Sequence, residues 1–442
     1  MKPLKVSLML LLLLVSYSTF LVPIKNASAS SNGSIQVLPD GSGIRIVVRD
    51  IELYFNATNG GEITEYFDLT VDPSRSRNLV NTGWKPFYNL LPLFASMFYK
   101  PPNATLVLST GGDPNAKLWL ISNTSEYVIL QSSSRIMDRA GGVVRDTYGN
   151  AIYVNSTWII HDTGLISVER TFLAPSYATF SSGWRWYPFY LTRTAGSNYN
   201  FTFYMFNTTY AYTQVVNEAI YKDSFGAFRL LPNDTRHVFG VALPFSNTSL
   251  GGDGTHNILI AYKYDELINV DQWKSDNYYS TTRKITEAGA GYEFNKTTNI
   301  STHTYHMIIN FTHQPINEKS LQSLANYYAD NPSIALPMEC SVTANKDLYK
   351  PGDYYAFYGS GISHYGLTRI TARFTVTNSS NWIMYQRDYG PSNITAEQTF
   401  NLTLLKGTVA PSPGNYTILF QISSQYGIAI SPSSKTITVT AP

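Results

Sequence analysis

The sequence predicts an all-β protein, and three observations support this fold class. Apolar and polar residues alternate through residues 152–160 and again through residues 166–172, on either side of a turn that contains Gly164. Such period-two alternation around a glycine turn is typical of an antiparallel hairpin with one buried face. Similar short segments recur along most of the chain, and only residues 317–329 show the spacing of an amphipathic helix.

The central hairpin has a predicted register. A three-residue loop, Asp162-Thr163-Gly164, pairs Trp158 with Val168 and keeps the apolar residues of both strands on one face. A slip of one residue would turn these side chains to the opposite face. The same three residues spell the active-site triplet of pepsin-like aspartic proteases, but the chain holds no second triplet to supply the partner carboxylate. The turn accounts for the motif.

The first 29 residues have the three parts of a secretory signal. Lys2 and Lys5 precede an apolar run over residues 6–24, and small residues follow at 27–29. The alternative is an uncleaved N-terminal anchor, because the apolar run is long. No later stretch is apolar enough to predict a membrane span. We therefore expect a secreted protein or one on the extracellular cell surface.

Glycosylation sequons occur throughout the chain, and Cys340 is the only cysteine. The predicted glycan acceptors are Asn56, Asn103, Asn123, Asn155, Asn200, Asn207, Asn233, Asn247, Asn295, Asn299, Asn310, Asn378, Asn393, Asn401 and Asn415. Many sequons, no possible internal disulfide, 14% charged residues and 33 tyrosines make the composition similar to that of exported archaeal glycoproteins.

The charge balance gives no reason to expect nucleic acid or an anionic membrane as a partner. Loss of Lys2, Lys5 and Lys25 with the signal changes the formal net charge from +2 to −1.

The beginning of the mature chain carries a short family-like motif. Strands predicted at residues 44–48 and 51–55 are followed by Gly60 and Gly61, then by Glu-Ile-X-X-Tyr-Phe-Asp over residues 62–68. This pattern resembles the opening of galactose-mutarotase-like β-supersandwich domains. The resemblance covers about residues 35–330 and implies a large antiparallel domain that binds or processes carbohydrate. The catalytic His and Glu of that family are not matched to positions here.

The segment after this motif contains several prolines. Residues 84–101 are apolar without alternation and contain Pro86, Pro92 and Pro101, which predicts a loop or helical turn packed across a sheet.

Residues 336–442 resemble an immunoglobulin-like β-sandwich. Short strands are predicted at regular spacing, and Pro413-Gly414-Asn415-Tyr416 opens a late strand as in many such modules. The predicted organisation is a signal peptide at 1–29, a supersandwich-like domain at 30–335 and an immunoglobulin-like domain at 336–442.

Two clusters are candidate ligand-binding sites. Aromatic rings stack on sugar C–H faces and arginine binds planar polar groups, so we consider Trp184, Arg185, Trp186 and Tyr187 as one cluster. The alternative is that both tryptophans belong to the core. Arg135 and Arg139, in a charged run with Asp138, Arg145 and Asp146, are candidates for binding a carboxylated sugar, or else part of a solvated loop.

Candidates for catalysis are few. Glu218 and Asp223 flank Tyr221 and are a candidate acid/base pair, but the sequence does not give their separation. His303 and His306 are three apart on a predicted strand and therefore point to opposite faces, which favours hydrogen-bonded histidines over a metal site. The sequence predicts no metal and no cofactor.

Two functional hypotheses remain. The first is a secreted glycoprotein that binds or processes extracellular carbohydrate, with a polysaccharide or glycan as its partner. The second is a structural or adhesive cell-surface protein, associated with a surface layer or filament through partner proteins and without catalysis. An open groove lined by aromatic residues and carboxylates would favour the first.

Overall fold

The structure is a computed structural model that describes residues 35–69, 72–76, 78, 95–99, 107–138, 140–146, 148–179, 185–195, 202–207, 211–215, 227–228, 238–244, 257–263, 270–271, 284–293, 299–312, 324, 327–328, 330–408, 412–425 and 429–441. The strands before residue 330 are β1 (Ile35–Asp40), β2 (Gly43–Val48), β3 (Ile51–Asn56), β4 (Glu62–Asp68), β5 (Ala95–Tyr99), β6 (Val107–Ser109), β7 (Lys117–Asn123), β8 (Tyr127–Arg135), β9 (Tyr153–His161), β10 (Leu165–Thr179), β11 (Arg185–Ala195), β12 (Thr202–Asn207), β13 (Ala211–Val215), β14 (Ala227–Phe228), β15 (Val238–Pro244), β16 (Asn257–Lys263), β17 (Val270–Asp271), β18 (Lys284–Glu293) and β19 (Asn299–Thr312). The later strands are β20 (Met338–Ala344), β21 (Leu348–Tyr349), β22 (Tyr354–Ser363), β23 (Leu367–Asn378), β24 (Ile383–Ile394), β25 (Gln398–Thr408), β26 (Gly414–Ser423) and β27 (Ala429–Val439).

A nine-stranded antiparallel sheet forms the centre of the molecule, in the order β13-β12-β15-β16-β19-β10-β9-β8-β7. Two four-stranded sheets are also present. The sheet β1-β2-β3-β4 comes before the nine-stranded sheet in sequence, and the strands of the sheet β18-β11-β5-β6 come before and between its strands in sequence. From Met338 onwards, a three-stranded sheet (β20-β22-β25) and a five-stranded sheet (β21-β27-β26-β23-β24) form what we call the C-terminal sandwich. The all-β prediction is confirmed.

The central hairpin has the predicted register. Trp158 pairs with Val168 and Ile160 with Ile166 across β9 and β10. Gly164 closes the turn with φ +85° and donates its N–H to the His161 carbonyl at 2.9 Å. The left-handed conformation accounts for the glycine of the Asp-Thr-Gly triplet.

The first four-stranded sheet packs on the face of the nine-stranded sheet that carries Trp158. The Phe55 and Trp158 rings meet edge to face at 5.3 Å, and the Tyr66 and Phe311 rings lie 4.5 Å apart. The contact is close at the glycine pair before β4. A Cβ on Gly60 would lie 2.4 Å from the Thr110 carbonyl oxygen, and one on Gly61 would lie 2.6 Å from the Ser132 Cβ. Both glycines also have positive φ, which residues with a Cβ rarely adopt. Steric clash and backbone conformation therefore both exclude a larger residue at either position.

A buried ion pair crosses between these two sheets. Glu62 begins β4, and its Oε2 accepts a hydrogen bond from Arg170 Nη2 of β10 at 2.6 Å, while its Oε1 accepts from Arg170 Nη1 at 3.1 Å. Thr110 Oγ1 donates to the same Oε1 at 3.1 Å, and the guanidinium lies 4.9 Å over the Trp158 ring. Burial raises the pKa of Glu62, and the charge of Arg170 acts in the opposite direction.

One prediction about local structure is wrong. Residues 95–99, which we expected in a loop or helical turn, form β5 between β11 and β6. The five residues contain no proline, so Pro92 and Pro101 flank the strand and leave its backbone donors intact.

A short segment joins the two parts of the chain. Leu324, Tyr327, Tyr328 and Asp330 are helical, and the rest of the helix predicted at 317–329 lies outside the described residues. Leu324 and Tyr328 are buried against Leu259 and Ile308 of the nine-stranded sheet. A 3₁₀ turn at Pro332–Ala335 follows.

The C-terminal sandwich shares its hydrophobic core with the nine-stranded sheet. Ile121, Ile129 and Ile159, from β7, β8 and β9, belong to the same buried cluster as the residues of the sandwich. Tyr127 contributes its ring to an edge-to-face contact with Tyr365 at 5.1 Å, and its hydroxyl accepts the Gly366 N–H at 2.8 Å. The two parts therefore form a continuous packed interface.

We expect removal of the buried negative charge to destabilise the fold strongly. Glu62→Gln removes the carboxylate charge that the buried Arg170 guanidinium contacts, which should lower the free energy of unfolding by about 3–5 kcal/mol. The control is Asp388→Asn, which breaks the half-exposed Arg373–Asp388 pair and should cost less than about 1 kcal/mol. Urea denaturation at pH 7 measures both. Equal losses in the two variants would show that the buried pair does not hold the sheets together.

His161 should make stability depend on pH. Burial lowers the pKa of His161 to about 4, against 6.5 for the unperturbed side chain, so the folded state favours the neutral ring. Its contribution to stability is complete above about pH 6.5 and is lost as the pH falls towards 4. Between pH 7 and pH 4.5 the wild type should lose about 2 kcal/mol more than His161→Gln, measured by urea denaturation. Parallel pH curves for wild type and His161→Gln would contradict the assignment.

Candidate functional site

The two faces of the nine-stranded sheet differ in character. One face packs on the first four-stranded sheet, as described above. The opposite face, which we call the polar face, carries the odd-numbered residues of β8, β9 and β10 and the even-numbered residues of β19, as the strand register shows. Around the middle of these strands, the residues on this face are almost all polar.

One row of side chains crosses five adjacent strands of the polar face. Its members lie directly opposite one another in the sheet, and we call it the polar row: Trp119, Gln131, Thr157, Glu169 and His306. Four of the five are buried, with 1%, 3%, 8% and 8% exposure for Gln131, Thr157, Glu169 and His306. Trp119 at the end of the row is half-buried.

Hydrogen bonds connect neighbours within the row. Gln131 Nε2 donates to Thr157 Oγ1 at 3.2 Å. Glu169 Oε2 and His306 Nε2 lie 3.0 Å apart, a hydrogen bond that becomes an ion pair when the imidazole is protonated. A carboxylate and an imidazole in contact form an acid/base pair.

A second row lies one pleat further along the same strands. It consists of Ser133, Asn155, Thr171 and Thr304, all half-buried. The hydroxyls of Thr171 and Thr304 are hydrogen-bonded at 2.8 Å. Exposure therefore increases away from the polar row.

On its other side, the polar row is bounded by apolar side chains. Ile129, Ile159 and Ile308 occupy the neighbouring row of the polar face, with Ser167 between the last two. Ile129 and Ile159 pack into the core shared with the C-terminal sandwich, and Ile308 packs against the segment before it. The sandwich thus covers the sheet up to the edge of the polar row.

The predicted binding residues that the structure describes are not members of the polar row. Arg185, Trp186 and Tyr187 are in β11, where Trp186 pairs with Phe98 of β5 and Tyr292 of β18. Trp184, Arg139, Glu218 and Asp223 lie outside the described residues. The binding roles of the Trp184–Tyr187 cluster and the acid/base role of Glu218 and Asp223 remain predictions.

Arg135 is engaged within the protein. Its guanidinium donates to the buried Asp113 through Nη2 at 2.6 Å and through Nε at 3.2 Å, and its backbone N–H donates to Asp113 Oδ2 at 2.7 Å. The hydrogen bond that Arg135 donates to Asp113 raises the pKa of Arg135. These contacts join the end of β8 to the turn after β6, so recognition of a sugar carboxylate by Arg135 would have to compete with Asp113.

The histidines are arranged as the strand pattern predicts. His303 and His306 lie on opposite faces of β19, since His303 pairs with Phe172 and His306 with Glu169. His313 lies outside the described residues. No local sequence pattern groups Glu169, His306, Gln131 and Trp119, because the pairing of β19 with β10 joins Glu169 and His306 across 137 positions of sequence.

The predicted glycan acceptors fall into different environments. Asn123, Asn393, Asn401 and Asn415 are exposed, and Asn56, Asn310 and Asn378 are half-buried. Asn393 and Asn415 use Oδ1 as a hydrogen-bond acceptor, from the Arg369 N–H and the Thr438 hydroxyl. These two bonds engage Oδ1 and not Nδ2, the atom to which a glycan is attached. Asn155 Oδ1, in contrast, is buried on the polar face.

The chain has low similarity to several solved structures. No family model and no curated protein sequence matches the chain. Galactose 1-epimerase from Lactobacillus acidophilus is 8% identical, with 64% of this chain and 98% of that chain covered and a TM-score of 0.33. A galactose mutarotase-like protein from Clostridium acetobutylicum is 7% identical, with coverages of 64% and 99% and a TM-score of 0.31.

A further match concerns a smaller part of the chain. The CARDB domain of a Pyrococcus furiosus protein is 9% identical and covers 23% of this chain and 87% of that domain, with a TM-score of 0.19. Among the described residues, no helix has the length and hydrophobicity required to cross a membrane.

We expect glycans at the exposed sequons and an unmodified Asn155. Asn393, Asn401 and Asn415 are accessible on the C-terminal sandwich, whereas a glycan on Asn155 would require its side chain to leave the polar face. Mass spectrometry of glycopeptides from protein made in the native host would test this. A glycan at Asn155 in most molecules would show that the polar face is not a ligand site.

Proposed function

We propose that this protein is an exported glycoprotein that binds or processes extracellular carbohydrate on the polar face of its nine-stranded sheet. The observation that carries the proposal is the polar row, in which an indole, an amide, a hydroxyl, a carboxylate and an imidazole lie side by side across five strands. The resemblance of residues 35–330 to galactose-mutarotase-like domains supports the same class of ligand.

The groups in the row match the chemistry of a sugar. Sugar hydroxyls both donate and accept hydrogen bonds, and Gln131, Thr157, Glu169 and His306 offer partners of both kinds. A sugar also has an apolar C–H face, which the Trp119 indole is suited to contact. Sites for small ligands commonly combine a few positioned polar groups with an apolar surround, and Ile129 and Ile159 supply that surround here.

The row is held on strands, which favours a defined geometry. Each side chain is fixed by the register of the sheet, and Glu169 is further positioned by its contact with His306 at 3.0 Å. If the protein processes its ligand, this pair is the candidate for proton transfer to or from a sugar oxygen.

Export and glycosylation are supported by the sequence. The signal-like segment at 1–29 and the recurring sequons indicate passage out of the cytoplasm. The N-terminal sequence of the mature protein would establish the cleavage site.

We expect Glu169→Gln to weaken saccharide binding by about tenfold or more, because a bond from a hydroxyl to a carboxylate is replaced by one to a neutral amide. The variant keeps the shape of the side chain and an oxygen that accepts from His306, so its melting temperature should stay close to that of the wild type. Binding of the purified mature protein to a panel of neutral and acidic polysaccharides provides the measurement.

The chain offers a matched control for this experiment. Glu339 and His364 form the same kind of pair at 2.9 Å on the C-terminal sandwich, with Glu339 54% exposed. Glu339→Gln should bind saccharide as the wild type does. If both variants bind equally well, the polar row is not the saccharide site.

The second candidate function is assembly at the cell surface without catalysis. It is favoured by the edge strand β24, because Trp382 just before the strand and Ile383 and Met384 at its beginning are 73%, 59% and 56% exposed. An exposed edge with large apolar side chains is a site for association with another chain. Light scattering of the wild type and of Trp382→Ser with Ile383→Ser tests this: assembly that the double change abolishes, together with no saccharide binding, would favour the second function.

A further inference from the structure

We infer that a glycan on Asn401 folds back onto the C-terminal sandwich and packs its first sugar against the Tyr358 ring. The inference rests on the glycoprotein part of the proposed function and is independent of the polar row. It assigns to a sugar that the chain itself carries a binding surface on the same chain.

Asn401 and Tyr358 lie on the same face of the three-stranded sheet β20-β22-β25. The register of β22 and β25 pairs Asn401 with Ser360 and Tyr358 with Thr403, the third residue of the sequon. Residues two apart on a strand share a face, so these four side chains form one group. Asn401 and Tyr358 are diagonal neighbours in it, about 7 Å apart, which is within reach of an aromatic ring.

This face is the outer one. The intervening residues point inward, since a Cβ on Gly359 would lie 2.9 Å from the Phe420 ring of the facing sheet. Phe400, which precedes Asn401, places its ring 6.3 Å from the same Phe420 ring. On the outer face, Asn401 is exposed and the Tyr358 side chain is 44% exposed. Both are therefore accessible to a sugar attached at Asn401 Nδ2.

The surroundings of Asn401 match both faces of a sugar. The C–H face of a sugar ring stacks on an aromatic ring, and Tyr358 provides that ring one diagonal step from the point of attachment. Ser360 lies directly beside Asn401, and its hydroxyl is hydrogen-bonded to that of Ser341 at 2.7 Å. Hydroxyls donate and accept, so the polar edge of the sugar meets hydrogen-bonding groups at the same level.

A sugar in this position connects two strands. It is bonded to Asn401 of β25 and contacts Tyr358 of β22, and β25 is the last strand of its sheet. The ends and edges of a fold open locally more often than its centre. The glycan should therefore reduce the local opening of β25.

The test is amide hydrogen exchange of β25 in the mature protein purified from its native host. Asn401→Gln removes this glycan alone and should speed exchange of the β25 amides by about three- to tenfold, the value of one ring contact. Tyr358→Ser leaves the glycan attached and should speed exchange by a similar factor. The double variant should exchange no faster than Asn401→Gln alone, because both changes remove the same contact.

The sandwich offers two matched controls. Asn415→Gln removes another exposed sequon, whose cross-strand partner is Thr438 and not an aromatic residue. Tyr354→Ser removes another exposed ring of β22, 55% exposed, which pairs with Thr408 at the far end of β25 from Asn401. Neither change should alter exchange of the amides around Asn401.

Glycopeptide mass spectrometry of the same samples separates this inference from the proposed function. If Asn401 is modified but its loss leaves β25 exchange unchanged, or if the effects of Asn401→Gln and Tyr358→Ser add, the inference is wrong and the glycoprotein assignment stands. An unmodified Asn401 also overturns the inference, and unmodified sequons throughout the chain overturn the glycoprotein assignment with it. A modified Asn401 with non-additive effects supports both.

Discussion

The fold depends on the close approach of two sheets at Gly60 and Gly61. A Cβ on Gly61 would clash with Ser132 of the nine-stranded sheet, and a Cβ on Gly60 would clash with the Thr110 carbonyl in the turn after β6, so only glycine lets β4 come this close to both. Only then does Glu62, the next residue, reach Arg170 at 2.6 Å in a region without solvent. A buried pair of this kind contributes less to net stability than its charges suggest, because both ions lose their hydration. We infer that the pair selects this placement of the first sheet, since any other placement would separate Glu62 from Arg170.

The same strand that supplies Arg170 also supplies Glu169. Adjacent residues of a strand point to opposite faces, so β10 contributes the buried ion pair to one side of the sheet and the centre of the polar row to the other. The position of the polar row is thereby tied to the packing of the first sheet. The C-terminal sandwich, which shares a core with Ile129 and Ile159, covers the adjacent part of the same face. The site lies where packing between the two parts of the chain ends and polar side chains begin.

Local sequence patterns predict the strands but do not predict the polar row. The alternation of apolar and polar residues predicts the central hairpin and its register, and the glycine pair predicts the start of β4. Both features depend on residues that are close together in sequence. The polar row depends on the pairing of β10 with β19, whose register is set by contacts between residues such as Glu169 and His306 that are 137 positions apart. One position in the sequence does point to a long-range contact. Arg170 lies at an apolar position between Val168 and Phe172, and a charge there requires a buried partner. The error at residues 95–99 has a different cause, because prolines that flank a strand were taken as interrupting it.

The most direct measurement is a crystal structure of the mature protein with a galactose oligomer prepared from carboxyl-reduced polygalacturonate. We expect a sugar ring on the polar face, with hydroxyl oxygens about 2.6–3.2 Å from the Glu169 carboxylate and from Gln131 Oε1. A sugar bound instead on β11 or on the C-terminal sandwich, with the polar face unchanged, would contradict it.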